Sequence, residues 1–430
     1  MAVRDPFEHV ASLILMNHRH AGIGPSGAVA REVRSVAVVG AGTMGAGIAA
    51  ANVRRQVPVV ITDMDPSALD RVTERIAAEL GDNGSSSDPA VLQEVARWVE
   101  PTMAPGRIAA CDLVIESVTE SAAAKQEVYG RLERHLPAST LLASNTSTIP
   151  IGRLAECLAE GGRFCGLHFF HPVRRRPLVE VVRGPATRPE TIEAAVAYVK
   201  RIGKMPIVVD DGPGFLVNRL LVPYLTEALE LLLDGATIDA VEQAATEFGM
   251  AFGPLRLLDE IGLDTALLAG RVLWEAFPER FVASPLPVAM YKAGRLGRKS
   301  GRGFFCYPEG LDLDEPGQPD PAIEPILAAW ARPPRQLSPE TITARLLLPM
   351  VLEATRLLEE GKVRDPRDIE RGVVFGLGFP LARGGLLYWA DAFGTEQILA
   401  MLRVLEPLGA RFQPTPMLLN MAGRQGRFLD

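Results

Sequence analysis

Residues 36–49, Val-Ala-Val-Val-Gly-Ala-Gly-Thr-Met-Gly-Ala-Gly-Ile-Ala, restrict the fold more than any other part of the chain. An apolar β-branched run leads into Gly40, Gly42 and Gly45 in the spacing G-x-G-x-x-G, and small helix formers follow. The first glycine permits a tight turn, the second admits a pyrophosphate close to the backbone, and the third lets helix pack on strand. The new helix then offers free N–H groups and the positive end of its dipole to phosphate. Alone the glycine pattern is weak, but strand and helix signals on either side support it. A second strand pattern, 57–63, ends in Asp63, eighteen residues past Gly45 and near the spacing of about 20 for an acid that holds a ribose. Asp65 adds negative charge and no Arg follows directly, which favours NAD over NADP. The competing reading is a glycine turn without a ligand.

Further strand patterns at 111–116, at 141–147 where the strand runs into a polar turn, and at 178–182 and 206–209, extend an open α/β sheet. In such sheets ligands sit at the carboxyl ends of strands, which puts Glu120 and Ser147 at the cofactor edge. The sequence predicts one amphipathic helix over 67–80 and a polar loop at 81–88. Composition shifts after Asp211-Gly-Pro-Gly, and the chain becomes helical.

The helical part repeats itself. Arg219-Leu-Leu-Val-Pro223 recurs as Arg345-Leu-Leu-Leu-Pro349, an offset of 126 that Glu227/Glu353 and Gly235/Gly361 share. The period is a whole domain. Asn218, beside the first anchor, has Ala344 as its counterpart. The expected organisation is a leader helix and linker at 1–30, an α/β Rossmann-type domain at 31–211, and two tandem all-α domains at 212–307 and 337–430. A Pro- and acid-rich linker at 308–336 joins the last two.

The net charge of −7 argues against a nucleic-acid partner, and the absence of a run of about 18 apolar residues argues against a membrane span. Cys111, Cys157, Cys165 and Cys306 are scattered without C-x-x-C, as expected of reduced thiols in a cytoplasmic protein. No residue set has the spacing of a metal site.

A nicotinamide-dependent dehydrogenase needs a base that titrates near neutrality. Of six histidines, only His168 and His171 follow closely on a strand of the nucleotide domain, and Glu180 comes twelve residues after His168. A carboxylate beside an imidazole fixes its tautomer and stabilises its protonated form. A purely structural His–Glu pair fits the same pattern equally well.

Several stretches together resemble the L-3-hydroxyacyl-CoA dehydrogenases: 39–45, Ser-Asn-Thr-Ser at 144–147, Gly-Leu-His-Phe-Phe at 166–170, Leu-Val-Glu at 178–180, 212–219 and Gly-Arg-Lys-Ser-Gly-Arg-Gly-Phe at 297–304. The doubled helical domain resembles the dehydrogenase half of multifunctional β-oxidation enzymes, with no hydratase half. The resemblance implies NAD-dependent oxidation of (3S)-3-hydroxyacyl-CoA, with His168 as base, Glu180 orienting it, and Ser147 and Asn218 at the substrate's 3-oxygen and thioester. It implies cofactor contacts from Gly40, Gly42, Thr43, Met44, Gly45, Asp63, Glu120, Lys125, Ser147, His171 and Lys299. His171 departs from the family's usual Asn, and Phe375 stands where relatives can carry Tyr. Arg174-Arg-Arg176 reads either as a basic lure for CoA phosphates or as a solvated turn. Implied partners are the acyl-CoA substrate and a separate hydratase or thiolase, with a monomer by internal domain pairing, or a dimer. The alternatives are a relative that binds NAD or acyl-CoA with little turnover, and a dehydrogenase of another β-hydroxy acid.

Overall fold

The computed structural model describes residues 5–16, 31–81, 88–308, 310–311 and 315–429. The chain divides into two compact units, one of residues 14–215 and 362–376, the other of residues 1–13, 216–361 and 377–430.

The first unit is built on an eight-stranded sheet in the order β3-β2-β1-β4-β5-β6-β7-β8. Its strands are β1 (Val36–Val39), β2 (Val59–Thr62), β3 (Val99–Pro101), β4 (Leu113–Glu116), β5 (Leu141–Ser144), β6 (Phe164–Phe169), β7 (Leu178–Arg183) and β8 (Met205–Asp210). All neighbours are parallel except β6 and β7, which run antiparallel with His168 opposite Glu180. The inner strands are buried end to end because helices cover both faces, which is why they read as continuous apolar runs.

One expectation for this unit needs revision. The helix predicted over 67–80 is two helices, Pro66–Asp70 and Val72–Leu80, broken at Arg71. The Pro89–Trp98 helix and β3 have no counterpart in the sequence reading. Of the expected polar loop, residues 82–87 lie outside the described residues.

In the second unit, the Val217–Leu233 helix packs along the Pro339–Glu359 helix, each with a proline inside it. The repeat anchors meet at this contact. Arg219 Nη2 donates to Glu353 Oε2 at 2.8 Å, and Arg345 Nε donates to Glu227 Oε2 at 2.9 Å. Arg219 also reaches Glu360, and Arg345 reaches Asp234, a second pair that keeps the offset of 126. Each copy therefore supplies the arginine that neutralises the other copy's acids. The four pairing partners Arg219, Glu353, Arg345 and Glu227 are buried.

The stretch expected as a linker carries structure. Phe305–Cys306 pairs with Gln318–Pro319, a helix spans Glu324–Trp330, and Arg332 bonds Glu230 at 2.7 Å. The second copy is also not continuous: residues 362–376 leave the helical unit and join the sheet unit, where Asp210 N–H donates to the Lys362 carbonyl. At the N-terminus the expected helix is Pro6–Met16, and the ring of its His9 stacks on Tyr388 at 4.8 Å. Residues 17–30 of the leader lie outside the described residues.

Candidate active site

The glycine turn follows β1. Gly40 has φ +113°, and a Cβ there would lie 2.4 Å from the Ser117 carbonyl oxygen. A Cβ on Gly45 would lie 1.8 Å from the Gly40 carbonyl oxygen. A Cβ on Gly42 would meet nothing within 4 Å. Gly40 and Gly45 are thus closed by the protein's own backbone, whereas Gly42 faces open space at the start of the Thr43–Val53 helix, which has no side-chain cap. Thr43 is exposed and Met44 half-buried at the same helix start. That is the space and polarity a pyrophosphate requires, so the residues present fit NAD. Asp63 accepts the Ala41 N–H at 2.7 Å and the Asp65 N–H at 3.0 Å, and its oxygens retain acceptor capacity for ribose hydroxyls. Asp65 instead caps the next helix by accepting from Ser67. Arg75 reaches the turn from the Val72–Leu80 helix and donates to the Ala41 carbonyl at 2.9 Å, an approach that local spacing does not announce.

At the end of β4 a buried polar cluster supports the neighbouring turn. Glu116 accepts from the Lys125 ammonium at 2.8 Å, Tyr129 Oη at 2.8 Å, Ser144 Oγ at 2.7 Å and the Val118 N–H at 2.7 Å. Lys125 is 1 % exposed and also lies 3.3 Å from Glu120. Glu120 in turn accepts from Thr146 Oγ1, Ser147 N–H, Ser147 Oγ and Thr148 N–H at 2.7–3.2 Å. Burial works to raise the Glu120 pKa, but Lys125 and these donors outweigh it and hold the carboxyl below the usual glutamate range. The structure thus joins Glu120, Lys125 and Ser147, and it adds Glu116, Tyr129 and Ser144, which sequence reasoning did not single out. The only sequence signal for Glu116 is an acid at the carboxyl end of an apolar strand.

His168 lies inside β6 rather than just after it. Its Nδ1 is 2.5 Å from Glu180 Oε2, across the antiparallel register. Both residues are buried, and the Phe170 and Phe215 rings flank the imidazole at 4.4 and 6.0 Å. The Glu180 carboxylate favours a proton on Nδ1 and leaves Nε2 as the acceptor. Asn145, given no role of its own in the sequence reading, accepts the Phe169 N–H at 2.9 Å and ties the end of β5 to the histidine strand. His171 follows on the β6–β7 connection and is exposed. Crowding by that loop desolvates the ring and lowers its pKa; Glu79 opposes the shift, while Arg174 and Arg176 add to it.

Asn218 and Lys299 belong to the other unit. Asn218 is half-buried in the first turn of the Val217–Leu233 helix. Lys299 is paired with Asp264. The motif around Lys299 has a packing basis: Asp259 accepts the Phe304 and Phe305 N–H groups at 2.9 Å and Tyr307 Oη at 3.1 Å, and a Cβ on Gly303 would strike its carboxylate.

A glycine turn open to a pyrophosphate and a buried imidazole–carboxylate pair on one mostly parallel sheet define a nicotinamide-dependent dehydrogenase. Residues 35–212 match the model of the 3-hydroxyacyl-CoA dehydrogenase NAD-binding domain, and residues 214–307 and 342–428 match that of the C-terminal domain. The chain belongs to the 3-hydroxyacyl-CoA dehydrogenase family, and its cofactor is NAD. It is 37% identical over 409 residues to the fatty acid oxidation complex subunit alpha of Pseudomonas savastanoi, and 36% identical over 408 residues to that of Pseudomonas aeruginosa. Each match covers 93% of this chain but 56% of the relative, so the chain spans little more than half the length of these curated relatives. Among solved structures, the 3-hydroxybutyryl-CoA dehydrogenase of Escherichia coli K12 is similar with a TM-score of 0.79 at 26% identity, over 92% of this chain and 99% of that one. The (S)-3-hydroxybutyryl-CoA dehydrogenase of Ralstonia eutropha aligns with a TM-score of 0.61 at 35% identity, over 65% of this chain and 100% of that one. No helix among the described residues is long and apolar enough to cross a membrane.

Proposed function

We propose that this protein oxidises (3S)-3-hydroxyacyl-CoA to 3-oxoacyl-CoA. The His168–Glu180 pair, buried and 2.5 Å apart, carries the proposal. The Gly40–Gly45 turn and Asp63 would hold NAD, which would supply the acceptor for the hydride lost from C3. His168 Nε2 takes the proton of the 3-hydroxyl, and Glu180 holds the ring and stabilises the imidazolium that forms. Ser147, fixed by Glu120 through both its N–H and its hydroxyl, orients the 3-oxygen. The Phe170 and Phe215 rings exclude water from the imidazole. Asn218 and Lys299 serve substrate and cofactor as the family resemblance implies, and Lys125 acts on the cofactor edge through Glu120. The protein works in the cytoplasm beside a separate hydratase or thiolase, with the reciprocal arginine–acid pairs between its helical copies satisfying a surface that would otherwise drive dimerisation.

The test is NADH oxidation with acetoacetyl-CoA by the wild type and His168→Gln. General-base catalysis typically contributes about 10²–10⁴-fold, so kcat falls by that factor while NADH affinity holds. A wild type that binds NADH without turning over any 3-oxoacyl-CoA, or a His168→Gln variant with unchanged kcat, would overturn the assignment.

A further inference from the structure

The β6–β7 connection, residues 170–177, carries a basic triplet that does not act as one patch. Arg175 is exposed, while Arg174 turns toward a cavity beside the Thr43–Val53 helix. That cavity, about 390 Å³, is lined by Arg54, Arg55, Arg174 and Lys204 over a floor of Gly47 and Ala50. The four cations come from three separate places: the C-terminal end of the helix, the β6–β7 connection and the turn before β8. Gly47 has no side chain to fill the space, and Val173 closes over it at a distance where a Cβ would clash. Gly203, at φ +76°, lets the Arg55 guanidinium lie flat on the turn.

Positive charge outnumbers negative charge here. Arg54 donates to the carbonyls of Glu79 and Leu80, and Lys204 donates to those of Val173 and Arg176, so neither is held by a carboxylate among the described residues. Lys204 keeps one of its three N–H donors. Arg174 Nε and Glu79 Oε2 are both shielded from solvent without a hydrogen-bond partner, and they lie 3.9 Å apart. Four cations thus face one acid in a chain whose net charge is −7. Burial lowers Lys204 to about 8, with Arg54 adding to the shift and Glu79 opposing it.

We infer that this cavity is an anion site for a phosphoryl group of a small molecule, separate from the pyrophosphate site of NAD. Guanidinium forks and an ammonium converging on one space are the donor set that binds phosphate. The glycine turn lies at the other end of the same helix, eleven residues or about 16 Å from Arg54. The phosphoryl group could be carried by a free nucleotide or by the adenosine 3′-phosphate head of a CoA ester, and both present the same chemistry. An occupant would clamp the β6–β7 connection, which also bears His171, onto the helix.

The experiment is calorimetry on the full chain saturated with NADH, which blocks the dinucleotide site, with pyrophosphate, ADP and CoA as probes. Pyrophosphate and ADP are expected to bind, more weakly as salt rises. Arg55→Glu, whose side chain is exposed, should weaken pyrophosphate and ADP roughly tenfold or more, the equivalent of one charge-assisted hydrogen bond, and leave NADH affinity unchanged. A parallel loss for CoA assigns the site to the CoA head; a loss for ADP with CoA unaffected assigns it to a free nucleotide. Lys204→Gln provides a second variant, with NADH binding as its check on folding. Failure of both pyrophosphate and ADP to bind the NADH-saturated wild type, or binding indifferent to both substitutions, would overturn the inference. Neither result bears on turnover by His168.

Discussion

Replacing Lys125 by Met tests the idea that the cofactor edge rests on a buried ion pair. Met fills nearly the same space but removes the ammonium that lies 2.8 Å from Glu116 and 3.3 Å from Glu120. Glu116 is fully buried and would keep three donors, from Tyr129, Ser144 and Val118, but no opposing charge. Breaking one side of a buried pair typically costs about 3–5 kcal/mol; the three remaining donors place this case near the lower figure, ~3 kcal/mol. That is a large share of a stability of about 5–15 kcal/mol. The double variant Lys125→Met/Glu116→Gln removes the stranded charge and should regain a substantial part of the loss. Urea denaturation followed at Trp98, which belongs to the sheet unit while the other three tryptophans belong to the helical unit, reads this out. The pH dependence provides a second check. Glu120 is depressed in the folded state, so its contribution is present above its unfolded pKa of about 4.5 and is lost as pH falls through the folded value. Without Lys125 that acid-side loss should shrink. A single variant within 1 kcal/mol of wild type, or a double variant less stable than the single, would refute the account.

The glycines of the turn should separate by function. Gly45→Ala drives a methyl into the Gly40 carbonyl and should abolish folding of the sheet unit, whereas Gly42→Ala meets no protein atom and should leave the melting temperature unchanged while weakening NAD binding. Fluorescence titration with NADH and a thermal melt distinguish the two, and equal behaviour would contradict the reading. The lowered pKa of His171 keeps it neutral at pH 7, so His171→Asn should leave the rate–pH profile above neutrality unchanged and differ only on the acid side. Asp259 is raised to about 6 by burial. A raised carboxyl favours the folded state below its unfolded pKa and loses that contribution as pH rises through 6, so the helical unit should become more stable from this group on acidification from 7 to 4. Asp259→Asn should flatten that dependence and, by leaving a backbone N–H unpaired, cost about 1–3 kcal/mol at neutral pH, measurable by denaturation at each pH.

What could be read in advance follows the range of the interactions. The glycine turn and Asp63 announce themselves because strand, turn and helix are consecutive. The His168–Glu180 pairing is visible only as two candidate residues, since the inversion of β7 that puts them opposite each other leaves no local mark. Glu116 is harder still: its partners sit 9, 13 and 28 residues away, and a strand-end acid alone looks solvated. Arg75 and the Lys362 segment reach their places by tertiary packing, which no periodicity encodes. In the stretch at 308–336, Pro and acid content marks a lack of core, not a lack of partners; Arg332 supplies those partners through Glu230 and Asp234. The basic triplet at 174–176 reads as one unit in sequence, yet the backbone turns Arg174 alone toward the cavity beside the Thr43–Val53 helix.

The crossed arginine–acid pairs have an evolutionary consequence. Where two identical subunits meet about a symmetry axis, every substitution appears twice, so an inherited change in one half of the contact is imposed on the other. Here both halves are written separately in one gene. Asn218 and Ala344 show the result: equivalent positions have diverged while Arg219 and Arg345 beside them still hold the two halves together. Selection can therefore act on one half for chemistry and on the other for support alone.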